Sequence, residues 1–208
     1  MKIIKPEVFF RWVSPDPERS IEEAARLCYK TEGAITRDSH VAMIRKLVKL
    51  GHTAMLEHAT ASFRFIYDRG VSHEHVRHRL ASYAQESTRY CNYGVAKFGR
   101  EIGVIEPPGL TSIQRIGWLK VCSVAEEVYM ELIDSGCAPQ IARSVLPTCL
   151  KTEVICTANM QEWRHIFTLR TNVKAHTQIR EVMYPALIIL HSYCPTIFED
   201  IIEACKNG

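Results

Sequence analysis

The sequence predicts an α+β fold in which helices surround a small, mainly antiparallel sheet, in a single domain spanning residues 1–208. Helix-like periodicity recurs in several long segments, whereas strand-like segments are few and show no strict βαβ alternation. A length of 208 residues suits one domain and is enough to bury a sizeable core. No internal repeat, low-complexity tract or linker divides the chain.

In the first half, strands are expected at 2–13 and 59–67, because both segments are rich in apolar and aromatic or alternating residues. Asp16 and Pro17 form a helix-start signal, and Gly51 forms a helix-stop signal. The remaining expectations are a helix to about 29, a loop at 31–38, a helix from 39 to Gly51, a turn at 68–70, a helix at 71–83 and a loop or short extended piece at 82–93.

In the second half, 95–109 is expected to be irregular with two possible short strands. A long helix is predicted at about 111–135, closed by Gly136. Asn159 and Glu162 have capping-box spacing and predict the start of another helix. Further helices are predicted at 139–146 and 174–191. The core candidates of the long helix at about 111–135 are Ile113, Ile116, Val124, Val128 and Leu132.

Composition narrows the class of protein. The chain is 47% hydrophobic and 24% charged, as in ordinary globular domains, and its formal net charge of +3 is too small to indicate nucleic-acid binding. We find no signal peptide and no apolar run near the roughly 20 residues of a membrane span. The eight cysteines are scattered without C-x-x-C spacing and are expected to be reduced. These features predict a cytoplasmic protein that binds neither a membrane nor nucleic acid.

The densest motif in the chain is Arg77-His78-Arg79, followed after seven residues by Ser87 and then by Arg89. Guanidinium groups offer a rigid fork of donors that matches phosphate, and a serine hydroxyl can add a further donor. The alternative is a solvated helix face whose arginines pair with nearby acids. On a helix, Arg77 and Arg79 would point to roughly opposite sides, which instead favours a ligand site approached from two directions or a subunit interface.

Two other kinds of site are disfavoured by the sequence. The run from His73 to His78 lacks the second histidine of a His-Glu-x-x-His zinc motif, because Arg77 occupies that position, and we expect no metal site. The chain has no Gly-x-Gly-x-x-Gly fingerprint, so a dinucleotide would have to bind by another architecture.

The Arg77-His78-Arg79 motif with Ser87 resembles the signature of the flavin-dependent thymidylate synthases. The similarity extends over most of the chain, from about residue 26 to residue 191. It includes Gly51-His52, Glu57-His58, Ala142-Arg143, Asn159, Leu169-Arg170 and His176 with Gln178.

The resemblance implies an enzyme that methylates deoxyuridine monophosphate (dUMP) to thymidine monophosphate (dTMP). Methylenetetrahydrofolate would supply the carbon, reduced FAD the hydride, and NADPH would reload the flavin. It also implies a homotetramer with flavin sites at subunit interfaces. FAD carries two phosphates, which would explain the number of cations.

The resemblance further implies which residues form the site. Arg170 is expected to face the uracil ring and to stabilise negative charge there, as the catalytic residue. The expected dUMP-binding residues are Glu74, Arg77, Gln85, Glu86, Ser87, Thr88, Arg89, Arg143 and Arg170. The expected FAD-binding residues are His52, Ala54, Arg77, His78, Arg79, Gln85, Asn159, Gln161, His165 and His176.

Some positions differ from the family's common residues, and other functions stay open. The departures are Ala54, Glu74, Ala84-Gln85, Gln161 and His165. Cys91 follows Arg89 closely, but no general base lies beside it in sequence, and we interpret it as a small structural residue. The alternatives are a nucleotide- or flavin-binding regulatory protein, a metal-dependent hydrolase and a basic RNA-binding domain.

Overall fold

The structure is a computed structural model of the whole chain, and residues 1–207 are described here. It contains strands β1 (Lys2–Ile4), β2 (Glu7–Val13), β3 (Thr60–Asp68), β4 (Ala81–Gln85), β5 (Gly103–Ile105) and β6 (Lys151–Asn159). Its helices are α1 (Pro17–Leu27), α2 (Ser39–Leu50), α3 (Arg69–His75), α4 (Ser112–Asp134), α5 (Pro139–Ala142), α6 (Met160–Arg170), α7 (Thr177–Tyr193) and α8 (Pro195–Asn207).

The strands form one four-stranded sheet in the order β2-β3-β6-β4 and one small sheet in which β1 pairs parallel with β5. The predicted α+β class with a small, mainly antiparallel sheet is confirmed. The chain divides into two compact units, each built from three segments. Unit 1 contains Met1–Glu7, Phe65–His75 and Ala84–Val154, and unit 2 contains Val8–Arg64, Val76–Tyr83 and the chain from Ile155 onward. Because neither unit is continuous in sequence, no single linker separates them.

Unit 1 has a core beneath the long helix α4. Tyr129 and Cys122 of α4 are buried there with Val104 of β5 and Leu150. The prediction that Ile113, Ile116 and Val124 belong to the core is wrong, because their side chains are 84%, 67% and 49% exposed. Two apolar stripes run along this helix at helical spacing, and the one containing Cys122 and Tyr129 faces the protein. Val128 and Leu132 are half-buried.

Unit 2 has an aromatic core centred on Trp163 of α6. Its ring packs edge-on against Phe63 of β3 and stacks on Phe167, which in turn contacts Phe198 of α8. The four side chains are fully buried, and the indole Nε1 donates to the carbonyl oxygen of Ala61 at 3.1 Å. This core fixes one face of α6, the helix whose two ends carry Asn159 and Arg170.

The predicted helix at 71–83 is wrong in its second half. Helix α3 begins at Arg69, where the Asp68 carboxylate accepts from the backbone N–H of Val71 at 2.7 Å, and it ends at His75. Strand β4 then begins at Ala81, which confirms the short extended piece expected after residue 82. Arg77 and Arg79 therefore lie in a turn, and the argument that they point to opposite sides of a helix does not hold.

Other boundaries differ more modestly. The strand predicted at 2–13 is interrupted between β1 and β2. The turn expected at 68–70 is instead the end of β3 followed directly by the start of α3. The helix expected at 139–146 continues beyond α5 as a 3₁₀ turn at Arg143–Val145. Asp16 precedes α1 as expected but makes no side-chain cap bond. Strand β6 and helix α8 were not predicted. The helices expected near 39–51, 111–135 and 174–191, and the strand near 59–67, are present.

Candidate active site

The predicted site residues divide between the two units. In unit 1, Glu74 lies on α3, Gln85 ends β4, Glu86 to Arg89 follow that strand, and Arg143 begins the 3₁₀ turn. In unit 2, the remaining residues are His52, Ala54, Arg77, His78, Arg79, Asn159, Gln161, His165, Arg170 and His176. Every residue that the sequence predicts to bind dUMP, other than Arg77 and Arg170, therefore belongs to unit 1.

In unit 1, hydroxyls and cations meet in the segment after β4. The Arg143 guanidinium lies 3.4 Å from the buried Thr88 hydroxyl, although 55 residues separate the two in the chain. The Ser87 Oγ accepts from the backbone N–H of Arg89 at 3.3 Å, and Arg89 is exposed. Arg89 and the two hydroxyls of this segment, together with Arg143 beside Thr88, are donors suited to an anion.

Glu86 and Gln85 are held by protein partners. The Glu86 carboxylate accepts from the Tyr93 hydroxyl and from the Lys151 ammonium, both at 2.9 Å. The Gln85 amide nitrogen donates to the Ser72 hydroxyl at 2.9 Å and lies 3.2 Å from that of Thr152. These bonds fix the end of β4, so a direct contact of either side chain with a nucleotide stays a prediction.

Sequence reasoning missed the partners of Glu86. Burial raises the pKa of the Tyr93 hydroxyl, with the Glu86 carboxylate as the second cause, so Tyr93 is a proton donor in this contact. Lys151 is half-buried, and the carboxylates of Glu86 and Glu153 keep its pKa raised despite the opposing effect of burial. The strict alternation of burial along β6 places Lys151 and Glu153 on one face, but β6 itself was not predicted.

In unit 2, Arg170 meets His78. The Arg170 Nε–H donates to the His78 Nε2 at 3.0 Å, although the two residues are 92 positions apart in the sequence. The His78 side chain is buried, and its ring packs edge-on against that of His165 with centroids 5.3 Å apart. Burial lowers the pKa of His78 to about 4, with Arg170 and then His165 as further causes, so the imidazole is neutral near pH 7.

Helix α6 positions several predicted residues at once. The Asn159 Oδ1 caps the helix by accepting from the Glu162 backbone N–H at 2.8 Å, which confirms the predicted cap. Burial raises the pKa of the Glu162 carboxyl. The Gln161 side-chain oxygen is buried and has no hydrogen-bond partner among residues 1–207, so it can accept from a ligand.

Three potential metal ligands meet in unit 2: atoms of His78, Glu162 and His165 lie within 4.8 Å of one another. Since the Arg170 guanidinium is hydrogen-bonded to His78, a fixed cation already lies next to this group and would repel a metal ion. Of the run from His73 to His78, which was compared with a zinc motif in the sequence, only His78 belongs to this cluster.

His52 and Ala54 line a cavity of about 760 Å³ in unit 2, within the size range of small-molecule sites. Its walls come from the C-terminal part of α1, from α2 and from the 3₁₀ segment Thr53–His58. Most of the lining is apolar, and Arg26 and Lys46 add two cations that sequence reasoning missed. Neither cation stands in a ligand-binding motif of the sequence, so only the fold brings the two to the cavity that His52 lines.

His176 and the two turn arginines are the solvent-exposed histidine and cations among the predicted flavin residues of the turn and the start of α7. His176 is exposed and immediately precedes α7. Arg77 and Arg79 are exposed on either side of the buried His78. An exposed–buried–exposed alternation leaves two cations accessible to a ligand while the histidine faces the protein.

Across residues 1–207, no helix is both long and apolar enough to span a membrane.

Comparison with known proteins places this arrangement in a family. Residues 11–196 match the family described as Thymidylate synthase complementing protein. The flavin-dependent thymidylate synthase of Geobacter sulfurreducens is 34% identical over 205 residues, covering 94% of this chain and 86% of that protein. The enzyme of the same name from Corynebacterium glutamicum is 32% identical over 209 residues, covering 92% and 82%.

A solved structure shares the fold. The UMP/dUMP methylase PolB from Streptomyces cacaoi, solved with 5-Br dUMP, superposes with a TM-score of 0.84 over 96% of both chains at 23% identity. Because the family match covers most of the chain and the relatives exceed 30% identity, the protein belongs to the flavin-dependent thymidylate synthase family and is an enzyme of that family.

Proposed function

We propose that the protein converts dUMP to dTMP, with methylenetetrahydrofolate as carbon donor, FAD as the flavin and NADPH as the source of reducing equivalents. The observation that carries the proposal is the Arg77-His78-Arg79 signature with Ser87, in a chain that matches the family over residues 11–196. The assembly we propose is a homotetramer whose sites combine residues of different subunits.

The nucleotide is assigned to the donors of unit 1. Arg89, Ser87 and Thr88 would bind its phosphate, and Arg143 lies against Thr88 at 3.4 Å. Guanidinium groups bind phosphate bidentately, and hydroxyls can donate to the remaining oxygens. Arg77 and Glu74 complete the proposed set, with Glu74 turned from the phosphate or paired with a cation.

The residues assigned to FAD fit a ligand of that chemistry. His52 and Ala54 line an apolar cavity of about 760 Å³, which suits a flat aromatic group. Arg77 and Arg79 are exposed cations suited to phosphate, and the buried Gln161 oxygen is an acceptor without a partner among the described residues. Asn159, His78, His165 and His176 are the other proposed contacts.

In the proposed mechanism, Arg170 holds a fixed positive charge next to the uracil ring. Activation of the ring places negative charge on it, and a preorganised cation stabilises that charge more in the transition state than in the ground state. When bound, reduced flavin would supply the hydride. Because the His78 ring that contacts Arg170 is buried, water is kept away from that side of the guanidinium.

No enzyme cysteine is assigned a step. Cys91 packs against the core of unit 1, and its backbone N–H donates to the Ser87 carbonyl at 2.8 Å. These contacts describe a small structural residue at the end of the nucleotide-binding segment.

The test is an absorbance spectrum of the purified protein after addition of FAD and removal of free flavin, followed by titration with dUMP. A retained flavin band that shifts with dUMP, and formation of dTMP when methylenetetrahydrofolate and NADPH are added, is the expected result. Titration with UMP is the comparison, because the structural neighbour is named for both nucleotides. A colourless protein that ignores both nucleotides would refute the proposal and favour the metal-dependent alternative.

A further inference from the structure

The contact between Arg170 and His78 shows which ring nitrogen of His78 carries the proton. An arginine Nε–H can only donate, so the His78 Nε2, at 3.0 Å from it, must accept and carries no proton. A neutral imidazole with an unprotonated Nε2 has its proton on Nδ1. The structure therefore assigns a single tautomer to His78.

A carboxylate faces the other nitrogen of the ring. The Glu162 Oε1 lies 3.8 Å from the His78 Nδ1, beyond hydrogen-bond length but close enough for electrostatic attraction. Glu162 and His78 are 5% and 4% exposed, so this attraction is weakly screened. A negative or polarised oxygen at this position favours the Nδ1–H tautomer over its alternative.

The backbone of His78 is also held. Its carbonyl oxygen accepts from the Tyr83 hydroxyl at 3.1 Å, and burial raises the pKa of that hydroxyl so that it stays a donor. Glu162 is fixed in turn by the Asn159 cap at the start of α6. Residues of β4 and α6 thus hold His78, and the Nε2 lone pair of its ring faces the Arg170 guanidinium.

We propose that His78 is the positioning residue of Arg170: its Nε2 holds the guanidinium in one orientation, and Glu162 keeps the ring in the tautomer that can do so. The proposal rests on the proposed function, in which Arg170 faces the uracil ring. It gives His78 a role in addition to the flavin contact proposed above, and it adds Glu162, which had no role in the site.

The experiment compares His78→Gln with His78→Phe. Glutamine keeps an acceptor oxygen at about the reach of Nε2, whereas phenylalanine keeps a flat ring and removes the acceptor. At saturating FAD, with bound flavin measured by absorbance, we expect kcat to fall roughly 10- to 100-fold in His78→Phe, with a much smaller change in KM for dUMP. His78→Gln is expected to restore most of kcat, and His191→Gln serves as the control.

A second comparison, made in a protein that lacks Arg170, tests whether the loss of kcat in His78→Phe depends on Arg170. Methionine has an unbranched side chain without any N–H donor, so in an Arg170→Met protein the His78 Nε2 can no longer accept from residue 170. Adding His78→Phe to Arg170→Met should then cause less than about a threefold further loss, because neighbours that act through one contact are not additive. A full additional loss would overturn the proposal.

Glu162→Met tests the second contact, since methionine has similar length and no carboxylate. We expect a several-fold fall in kcat, whereas Glu203→Met, at an exposed position on α8, should leave kcat unchanged. Wild-type kcat in Glu162→Met would remove Glu162 from the proposal.

The outcomes separate this proposal from the proposed function. If the wild-type enzyme turns over and His78→Phe only needs more FAD to reach wild-type kcat, His78 is a flavin ligand and the positioning role is refuted. Equal losses in folded, flavin-loaded His78→Phe and His78→Gln would also refute it. A wild-type protein that binds FAD but makes no dTMP would refute the function itself.

Discussion

At the scale of single residues, the site depends on groups whose charge is decided by what surrounds them. His78 has an ordinary side chain, but burial beside Arg170 keeps it neutral near pH 7. Glu86 belongs to the segment predicted to bind the nucleotide, but its carboxylate accepts hydrogen bonds from Tyr93 and Lys151. Residue type alone predicts neither property, because both follow from neighbours distant in sequence.

Arg170→Ala is expected to lower kcat by at least about 100-fold, because loss of one preorganised electrostatic group costs on that order. FAD should remain bound, since Arg170 is not among the residues assigned to the flavin. Single-turnover formation of dTMP and the flavin absorbance of the desalted variant check the two parts. Full activity would remove Arg170 from the mechanism.

The depressed pKa of His78 makes stability depend on pH. The unfolded chain binds a proton to this histidine below about pH 6.5, whereas the folded chain does so only below about pH 4. Since the unfolded state then binds more protons, the contribution of His78 to the free energy of unfolding should decrease as pH falls from about 6.5 to about 4. Urea denaturation across this range should show a smaller pH dependence for His78→Gln than for the wild type. Equal dependence in both would contradict this prediction.

Cys91→Ala is expected to remain active. Its side chain is half-buried against the unit 1 core, so the change should cost about 1 kcal/mol of stability and little activity. Thermal unfolding and steady-state turnover measure the two effects. A folded variant without activity would revive a cysteine nucleophile.

At the scale of elements, local signals mark helix ends better than they mark which face is buried. The Thr111 hydroxyl and the Gln114 side chain form a reciprocal capping box at the start of α4. The same helix has two apolar stripes, and periodicity alone favoured one that includes the exposed Ile113, Ile116 and Val124. A helix end is set by hydrogen bonds between residues close in sequence. Which face of the helix is buried depends on the segments that pack against it.

Thr111→Ala should destabilise the protein by about 1 kcal/mol, because the cap bond to the Gln114 backbone N–H is lost. Ser123→Ala, at an exposed position in the middle of the same helix, is the matched control and should change stability by less than about 0.5 kcal/mol. Chemical denaturation compares them. An equal effect of both substitutions would mean that the cap contributes nothing specific.

At the scale of the whole molecule, the predicted ligands divide between two compact units. Most residues assigned to the nucleotide belong to unit 1, and those assigned to FAD belong to unit 2 apart from Gln85. The α+β class and the family could be predicted from sequence, because the dense motif and the long helical patterns can be recognised without knowledge of the tertiary structure.

FAD should raise the melting temperature of the whole protein. At about 100 times its Kd, a ligand that binds only the folded state adds about 2.7 kcal/mol, which corresponds to roughly 5–10 °C for a chain of this size. Riboflavin lacks the phosphates assigned to Arg77 and Arg79 and should stabilise less. Differential scanning calorimetry checks both, and equal stabilisation by the two flavins would remove the arginines from the phosphate contact.

The sequence by itself determined the family, the class of fold and the main helices, because these depend on local periodicity, helix-end signals and a motif contained in 13 residues from Arg77 to Arg89. Only the tertiary structure decided that Arg77 and Arg79 lie in a turn, that the other stripe of α4 is buried and that Arg170 donates to His78. The physical reason is that chain direction after α3, burial and proton location are set by contacts between segments up to 92 residues apart. No local pattern encodes those contacts.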